Sequence, residues 1–121
     1  MNHFTVLAKD LDSTREFYAE VLGLVEGYRP NLGFPGAWMY IGDAAVLHIV
    51  AGRALPTDPR GVLDHMAFSA WDLPGTVRKL EAKAIAFDLR RQTDSGVWQL
   101  FFFDPNGARV ELDFGAGEHA P

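Results

Sequence analysis

The stretch Asn2-His3-Phe4-Thr5-Val6-Leu7-Ala8-Lys9-Asp10-Leu11 is matched, sixty-two residues later, by Asp64-His65-Met66-Ala67-Phe68-Ser69-Ala70-Trp71-Asp72-Leu73. Each stretch puts a histidine at the head of a short apolar strand that runs into an Asp-Leu helix start. The chain therefore reads as a duplicated unit that offers one imidazole from each half to a shared place, which is a metal-site pattern.

Working outward, residues 3 to 8 alternate His3, Thr5 and Leu7 against Phe4, Val6 and Ala8, the period of two expected of a strand. Asp10 or Asp12 caps the helix that follows, with Ser13 and Glu16 spaced as a capping box. Phe17, Tyr18, Val21 and Leu22 form its apolar stripe before Gly23 ends it, so this helix is expected over roughly residues 12 to 22. Residues 24 to 28, 37 to 41 and 45 to 50 read as three strands, broken by the Gly33-Phe34-Pro35-Gly36 loop and the Gly42-Asp43 turn. The first half is thus β-α-β-β-β. Residues 51 to 63, with Gly52, Pro56, Pro59 and Gly61, read as a connecting loop. Asp72 then caps a second helix with Pro74 in its first turn and Val77, Leu80 and Ala84 facing inward. Strands near 86 to 91, 97 to 103 and 108 to 114 complete the repeat, with Asp104-Pro105-Asn106-Gly107 a turn between the last two. The tail after Gly115 is small and polar and is assigned no structure.

The 121 residues, 48% of them hydrophobic, suffice for one compact domain and are too few for two conventional ones. A single domain over residues 1 to 121 is expected, with module one at about 1–52, module two at about 63–115 and a loop between. No apolar run approaches the roughly 18 residues of a membrane span, and no basic and apolar leader precedes the first strand. A soluble, unexported, cytoplasmic protein is the expectation. The absence of cysteine excludes disulfides and thiolate ligands, leaving imidazole and carboxylate to hold any metal. The formal charge of −5 comes from scattered groups with no basic track, which argues against a nucleic-acid partner.

In the last strand Glu111 and Asp113 lie opposite Val110, Leu112 and Phe114, so Glu111 faces either solvent or a cavity. In the matching strand of the first half, His48 shares a face with Val46 and Val50. His48 and Glu111 follow His3 and His65 by 45 and 46 residues. A lone histidine is most often a surface residue or a satisfied core imidazole. Four such groups related two by two are not expected from independent placement, and this makes His3, His48, His65 and Glu111 the candidate ligands. His119, in the tail, is not one.

The segments His3-Phe4-Thr5-Val6-Leu7, Asp10-Leu11, Phe17-Tyr18 and Val21-Leu22-Gly23-Leu24, with Asp104-Pro105-Asn106-Gly107 and Val110-Glu111-Leu112, resemble the vicinal oxygen chelate superfamily. That superfamily includes glyoxalase I, bleomycin and fosfomycin resistance proteins and extradiol dioxygenases. The resemblance covers about residues 2 to 114. It implies an α+β fold of two βαβββ modules whose curled sheets form a metal-binding cup. Its metal positions, at the first and fourth strands of the modules, fall on His3, His48, His65 and Glu111. Glyoxalase I-like members commonly carry Glu or Gln where this chain has His48, and three-ligand members use only the other three. The second helix lacks the glycine often seen near its end, where this chain has Ala82-Lys83-Ala84. A homodimer is implied for a chain of this length.

Two or three imidazoles with one carboxylate suit Fe(II), Mn(II), Ni(II), Co(II) or Zn(II) and leave positions open, where the ion acts as a Lewis acid on a substrate bound through two vicinal oxygens. Glu111 is also the candidate catalytic group. Thr5, Trp38, Ser69, Gln99 and Phe101 are candidates for substrate contact. Arg91 reads as an exposed strand arginine, with a carboxylate clamp as the alternative. The expected function is a metal-dependent small-molecule enzyme of the glyoxalase and dioxygenase group, with lyase, isomerase and ring-cleavage chemistry left open. Two alternatives stand beside it. A fosfomycin-resistance-like thiol transferase is favoured by the placement of Thr5, but Thr93-Asp94-Ser95-Gly96-Val97 only loosely resembles the cation-binding loop of those proteins. A non-catalytic drug-binding protein of the bleomycin-resistance kind uses the same cup, and such binders generally lack this ligand set.

Overall fold

The computed structural model describes all of residues 1–121. Its elements are β1 (Phe4–Ala8), α1 (Leu11–Glu20), β2 (Val25–Gly27), β3 (Gly36–Ile41), β4 (Ala44–Ala51), β5 (Met66–Ala70), α2 (Leu73–Ala82), β6 (Phe87–Arg91), β7 (Trp98–Phe103) and β8 (Arg109–Phe114). This is an α+β fold of two βαβββ modules, each with an open four-stranded sheet, in the orders β1-β4-β3-β2 and β5-β8-β7-β6. The first and fourth strands of each module pair in parallel because a helix and two further strands separate them, whereas the strands joined by short loops pair antiparallel. Spatially the chain groups into two compact units, one of Met1–Gly61 with Asp104–Ala108 and one of Val62–Phe103 with Arg109–Pro121.

In the first unit α1 packs against β3 and β4. Tyr18 from the helix, Met39 from β3 and Leu47 and Ile49 from β4 are completely or almost completely buried. Each such side chain contributes roughly 1.5–3 kcal/mol relative to exposure. Because strand side chains alternate, burying Leu47 and Ile49 on the helix side turns Val46, His48 and Val50 to the other face. In the second unit Val110, Leu112 and Phe114 are buried on one face of β8 together with Leu100 and Phe102 of β7. Glu111 and Asp113 therefore share the opposite face with Gln99 and Phe101, their cross-strand partners being Phe101 for Glu111 and Gln99 for Asp113.

The Asp104-Pro105-Asn106-Gly107 turn does more than reverse the chain. Asp104 Oδ1 accepts the backbone N–H groups of Asn106 and Ala108, both at 2.8 Å, and Oδ2 accepts the Tyr18 hydroxyl at 2.7 Å. Asn106 accepts the Lys9 N–H at 2.9 Å and donates from its amide to Thr14 Oγ1 at 2.9 Å. The turn residues thus satisfy the polar groups at the start of α1, including the fully buried Thr14.

Three local expectations are corrected. The N-cap of α1 is Asp10, whose side chain accepts the Ser13 N–H at 2.9 Å, and no box forms between Ser13 and Glu16 because Ser13 already lies inside the first turn. Residues 21 and 22 lie beyond the end of α1. Ala84 does not face inward: α2 ends at Ala82, and Ala84 adopts a left-handed φ of 53° in the exit turn, exposed to solvent. The tail, as expected, forms no helix or strand, but it makes contact with α2. Glu118 Oε2 and Oε1 accept the N–H groups of Asp72 and Leu73, each at 2.9 Å, where the first turn of α2 leaves donors unsatisfied.

Candidate metal centre

The carboxylate of Glu111 is buried at 5% exposure. Gln99, from the neighbouring strand, donates its amide Nε2–H to Glu111 Oε1 at 2.5 Å, leaving Oε2 to face His65 Nε2, also at 2.5 Å. The other nitrogen of His65, Nδ1, lies 2.7 Å from Asp64 Oδ2. An ionised carboxylate only accepts, so Nδ1 carries a proton, while Nε2, which also faces a carboxylate, either carries a second proton or turns its lone pair on a bound cation. A lone pair and a carboxylate oxygen at 2.5 Å repel unless a cation is held between them, either a proton or a metal ion. Neutral imidazole nitrogen with anionic oxygen suits a borderline divalent ion, so these residues fit the metal that the sequence implies.

Asp64 is held in turn by Arg109, whose Nη1 lies 2.9 Å from the same Oδ2. Its hydrogen bond to His65, then that to Arg109, lowers its pKa below the ordinary carboxylate value. Phe101 meets the His65 ring edge to face at 5.8 Å and limits its swing. Asp113, one strand position pair beyond Glu111, keeps Oδ1 buried with no hydrogen-bond partner. Burial, then hydrogen bonding to Glu111, raises its pKa and favours the neutral acid.

The first module repeats part of this arrangement. His3 Nδ1 lies 2.8 Å from Asn2 Oδ1, an acceptor, which leaves Nε2 as the free electron pair. The His3 ring stacks on His48 at 3.7 Å and 13°, and Trp38 stacks on His48 at 3.9 Å and 9°. Pairing explains the stack: β4 lies between β1 and β3, and His48 is opposite Thr5 on one side and Trp38 on the other. Burial, then the neighbouring His3, lowers the pKa of His48, and the charge of Arg29 adds to this, so the neutral, ligand-competent imidazole is favoured.

The sequence-derived residues therefore gather in two places. His3, His48, Thr5 and Trp38 lie on one sheet face of the first module, and His65, Glu111, Gln99 and Phe101 lie together in the second. Ser69 is exposed and pairs with Asp113. Within neither module do three metal-competent side chains come together. Arg91 is committed elsewhere: its Nε donates to Gly96 O at 3.1 Å, its Nη2 to Ala116 O at 3.2 Å, and it covers Trp98 at 4.7 Å. The segment 93–97 closes the β6–β7 hairpin on itself, with the Gly96 N–H donating to Gln92 O. Sequence reasoning did not single out Asn2, Asp64 or Arg29. The signal for the first two lay in the repeat itself, as a polar residue directly before each histidine.

Residues 1–112 match the model of the Glyoxalase/Bleomycin resistance protein/Dioxygenase superfamily. The chain is 29% identical to "Glyoxylase I 4" of Arabidopsis thaliana over 120 residues, covering 93% of this chain and 68% of that one. Among solved structures it resembles a lactoylglutathione lyase from Agrobacterium tumefaciens, with a TM-score of 0.69 at 24% identity over 96% of this chain and 93% of that one. It also resembles a variant of the fosfomycin resistance protein FosX from Listeria monocytogenes, determined with Mn(II) and 1S,2S-dihydroxypropylphosphonic acid, with a TM-score of 0.77 at 20% identity over 95% of this chain and 91% of that one. Joined to the repeated histidine strands and the βαβββ order of both modules, the match along nearly the full length leaves one conclusion: the chain belongs to the glyoxalase/bleomycin resistance protein/dioxygenase superfamily.

Proposed function

We propose that this chain is a metal-dependent enzyme of the glyoxalase I type, a lyase or isomerase acting on a small molecule that presents two vicinal oxygens. The observation that carries this reading is the opposition of His65 Nε2 and Glu111 Oε2 at 2.5 Å, with Nδ1 of the same ring already donating to Asp64. His65 and Glu111, completed by His3 and His48, would hold one divalent ion, with the two modules working as one domain and two chains as a homodimer. When bound, that ion supplies Lewis-acid polarisation of the substrate oxygens.

The remaining work falls to the chain's own side chains. Asp64 and Asn2 fix the tautomers of His65 and His3. Gln99 holds Oε1 of Glu111 and so turns Oε2 towards His65, and Glu111 is the group placed to take a proton from substrate. Asp113 lies on the same face of β8 beside it. Trp38 and Phe101 supply apolar walls that exclude water, and Thr5 and Ser69 carry hydroxyls on the same two sheet faces.

Metal analysis of protein purified without added ions tests the reading, together with Glu111→Gln, which preserves shape while removing the anionic donor. The expected result is stoichiometric metal in the parent and loss of it in the variant. No metal under any loading condition would instead leave a non-catalytic binder. Turnover of hemithioacetals, of catechols, and of fosfomycin with glutathione then separates the lyase or isomerase from the dioxygenase and the thiol transferase.

A further inference from the structure

Two phenyl rings in this molecule each carry a pair of arginines, and the pairs differ in how their charge is balanced. Over Phe101 lie Arg109, at 4.4 Å, and Arg90, at 5.3 Å. Arg109 is paired with Asp64 and Arg90 with Asp88. Over Phe34 lie Arg29, at 5.0 Å, and Arg53, at 5.9 Å. Neither of these forms an ion pair with any carboxylate of the chain, whereas Arg15, Arg90 and Arg109 all do. Two uncompensated guanidinium groups thus share one ring in a chain whose formal charge is −5.

The guanidinium of Arg29 is held in place. Its Nη2 donates to Phe34 O at 2.9 Å, while its Nε is buried and has no partner. A Cβ at Gly36 would lie 2.3 Å from Ile49 O and 2.8 Å from Arg29 Nη2, so the guanidinium packs directly against Gly36. Gly36 stands two residues before Trp38 on β3, which places the guanidinium roughly 7 Å along the strand from the Trp38–His48–His3 stack. The loop that carries Phe34 is anchored to the end of β4 by the Ala51 N–H, which donates to Pro35 O at 3.0 Å, close to Arg53.

We propose that Arg29 and Arg53 form an anion subsite beside this ring stack, and that the substrate carries a carboxylate or a phosphoryl-type group separate from the vicinal oxygens it offers to the metal. The proposal rests on the metal-site reading of His3 and His48, which it extends to the substrate's far end. The chemistry suits the geometry: the unpartnered Nε–H shares an edge of the guanidinium with Nη2, which has a second N–H besides the one given to Phe34 O, and such an edge matches planar or tetrahedral oxyanions, while stacking on Phe34 keeps it oriented.

Metal-free protein at low ionic strength is titrated with inorganic phosphate and, separately, with acetate, binding being read by calorimetry. Removing two charge-assisted donors is expected to weaken binding at least about tenfold in the Arg29→Gln, Arg53→Gln double variant. Arg15→Gln, which changes net charge at an exposed ion-paired site, is expected to bind as the parent does. Arg29→Lys is expected to recover part of the phosphate binding. Preference for phosphate identifies a phosphoryl-type group, and preference for acetate a carboxylate. Circular dichroism and thermal melting of each variant establish that it is folded. Mn(II) binding, measured separately on the same proteins, is expected to be unchanged. Equal anion binding by the double variant and the parent, or binding of neither anion by the parent, overturns the subsite. Failure of the parent to bind Mn(II) while it binds anion overturns the metal reading instead.

Discussion

Asp64 illustrates how much a candidate ligand depends on the residue beside it. Its carboxylate sets which nitrogen of His65 carries the proton, and Arg109 holds that carboxylate in turn. Replacing it should release the ring: Asp64→Ala is expected to weaken Mn(II) affinity by about 10- to 100-fold without removing a ligand, as chelator competition will measure. At this scale the repeat makes His3, His48, His65 and Glu111 stand out as candidates, because matched positions in two modules mark residue types that a single copy would leave ambiguous. Asn2 and Asp64 sat in the same matched stretches and were passed over, since a polar residue at a strand's mouth is ordinary surface chemistry until the histidine is seen to turn towards it. Arg29 gave no signal. It lies in an irregular segment where no period relates it to β3, and only the missing Cβ of Gly36 brings its guanidinium over the sheet.

Among the elements, the strands were the most legible, because alternation and turn residues define them locally. Helix ends were less so. Capping depends on which of several nearby acids takes the extended backbone geometry, and for α1 that residue is Asp10 with φ of −121°. The exit of α2 carries a mismatch between sequence and backbone. Ile85 N–H donates to Leu80 O at 2.9 Å across a left-handed residue, the arrangement that usually takes glycine, yet the residue there is Ala84. The left-handed conformation costs an L-residue roughly 1–2 kcal/mol, so Ala84→Gly is expected to stabilise the protein by about 1 kcal/mol in urea unfolding. Its exposure means that no packing is lost in exchange. The start of the same helix shows the opposite economy: at Gly75 a Cβ would lie 2.1 Å from Asp72 Oδ2, so only glycine allows the Asp72 side chain to accept the Gly75 N–H.

For the molecule as a whole, no helix is long and apolar enough to cross a membrane. The buried Tyr18–Asp104 pair links global stability to alkaline pH. Burial, then the charge and hydrogen bond of Asp104, raises the Tyr18 pKa well above its ordinary value, so the folded state keeps the phenolic proton after the unfolded chain has begun to lose it near pH 10. The unfolded state then binds fewer protons, and stability falls as pH rises through that range. Tyr18→Phe, although less stable at neutral pH by about 1 kcal/mol for the lost hydrogen bond, is expected to show a flatter decline in urea titrations above about pH 10. Assembly has its own test. Val62, Leu63 and Trp71 are large apolar residues left exposed, and a homodimer that builds each metal site from two chains would let defective subunits complement one another. With sites built from two chains, mixing His3→Ala with Glu111→Gln protein restores Mn(II) to about a quarter of the sites, since half the randomly formed dimers then hold one intact site, whereas sites built from one chain stay empty. The ring stack of the first module has one more consequence. Trp38 is a fluorophore lying face to face with an imidazole at 3.9 Å, so its emission should change whenever that imidazole takes up a cation, giving the site a built-in optical reporter.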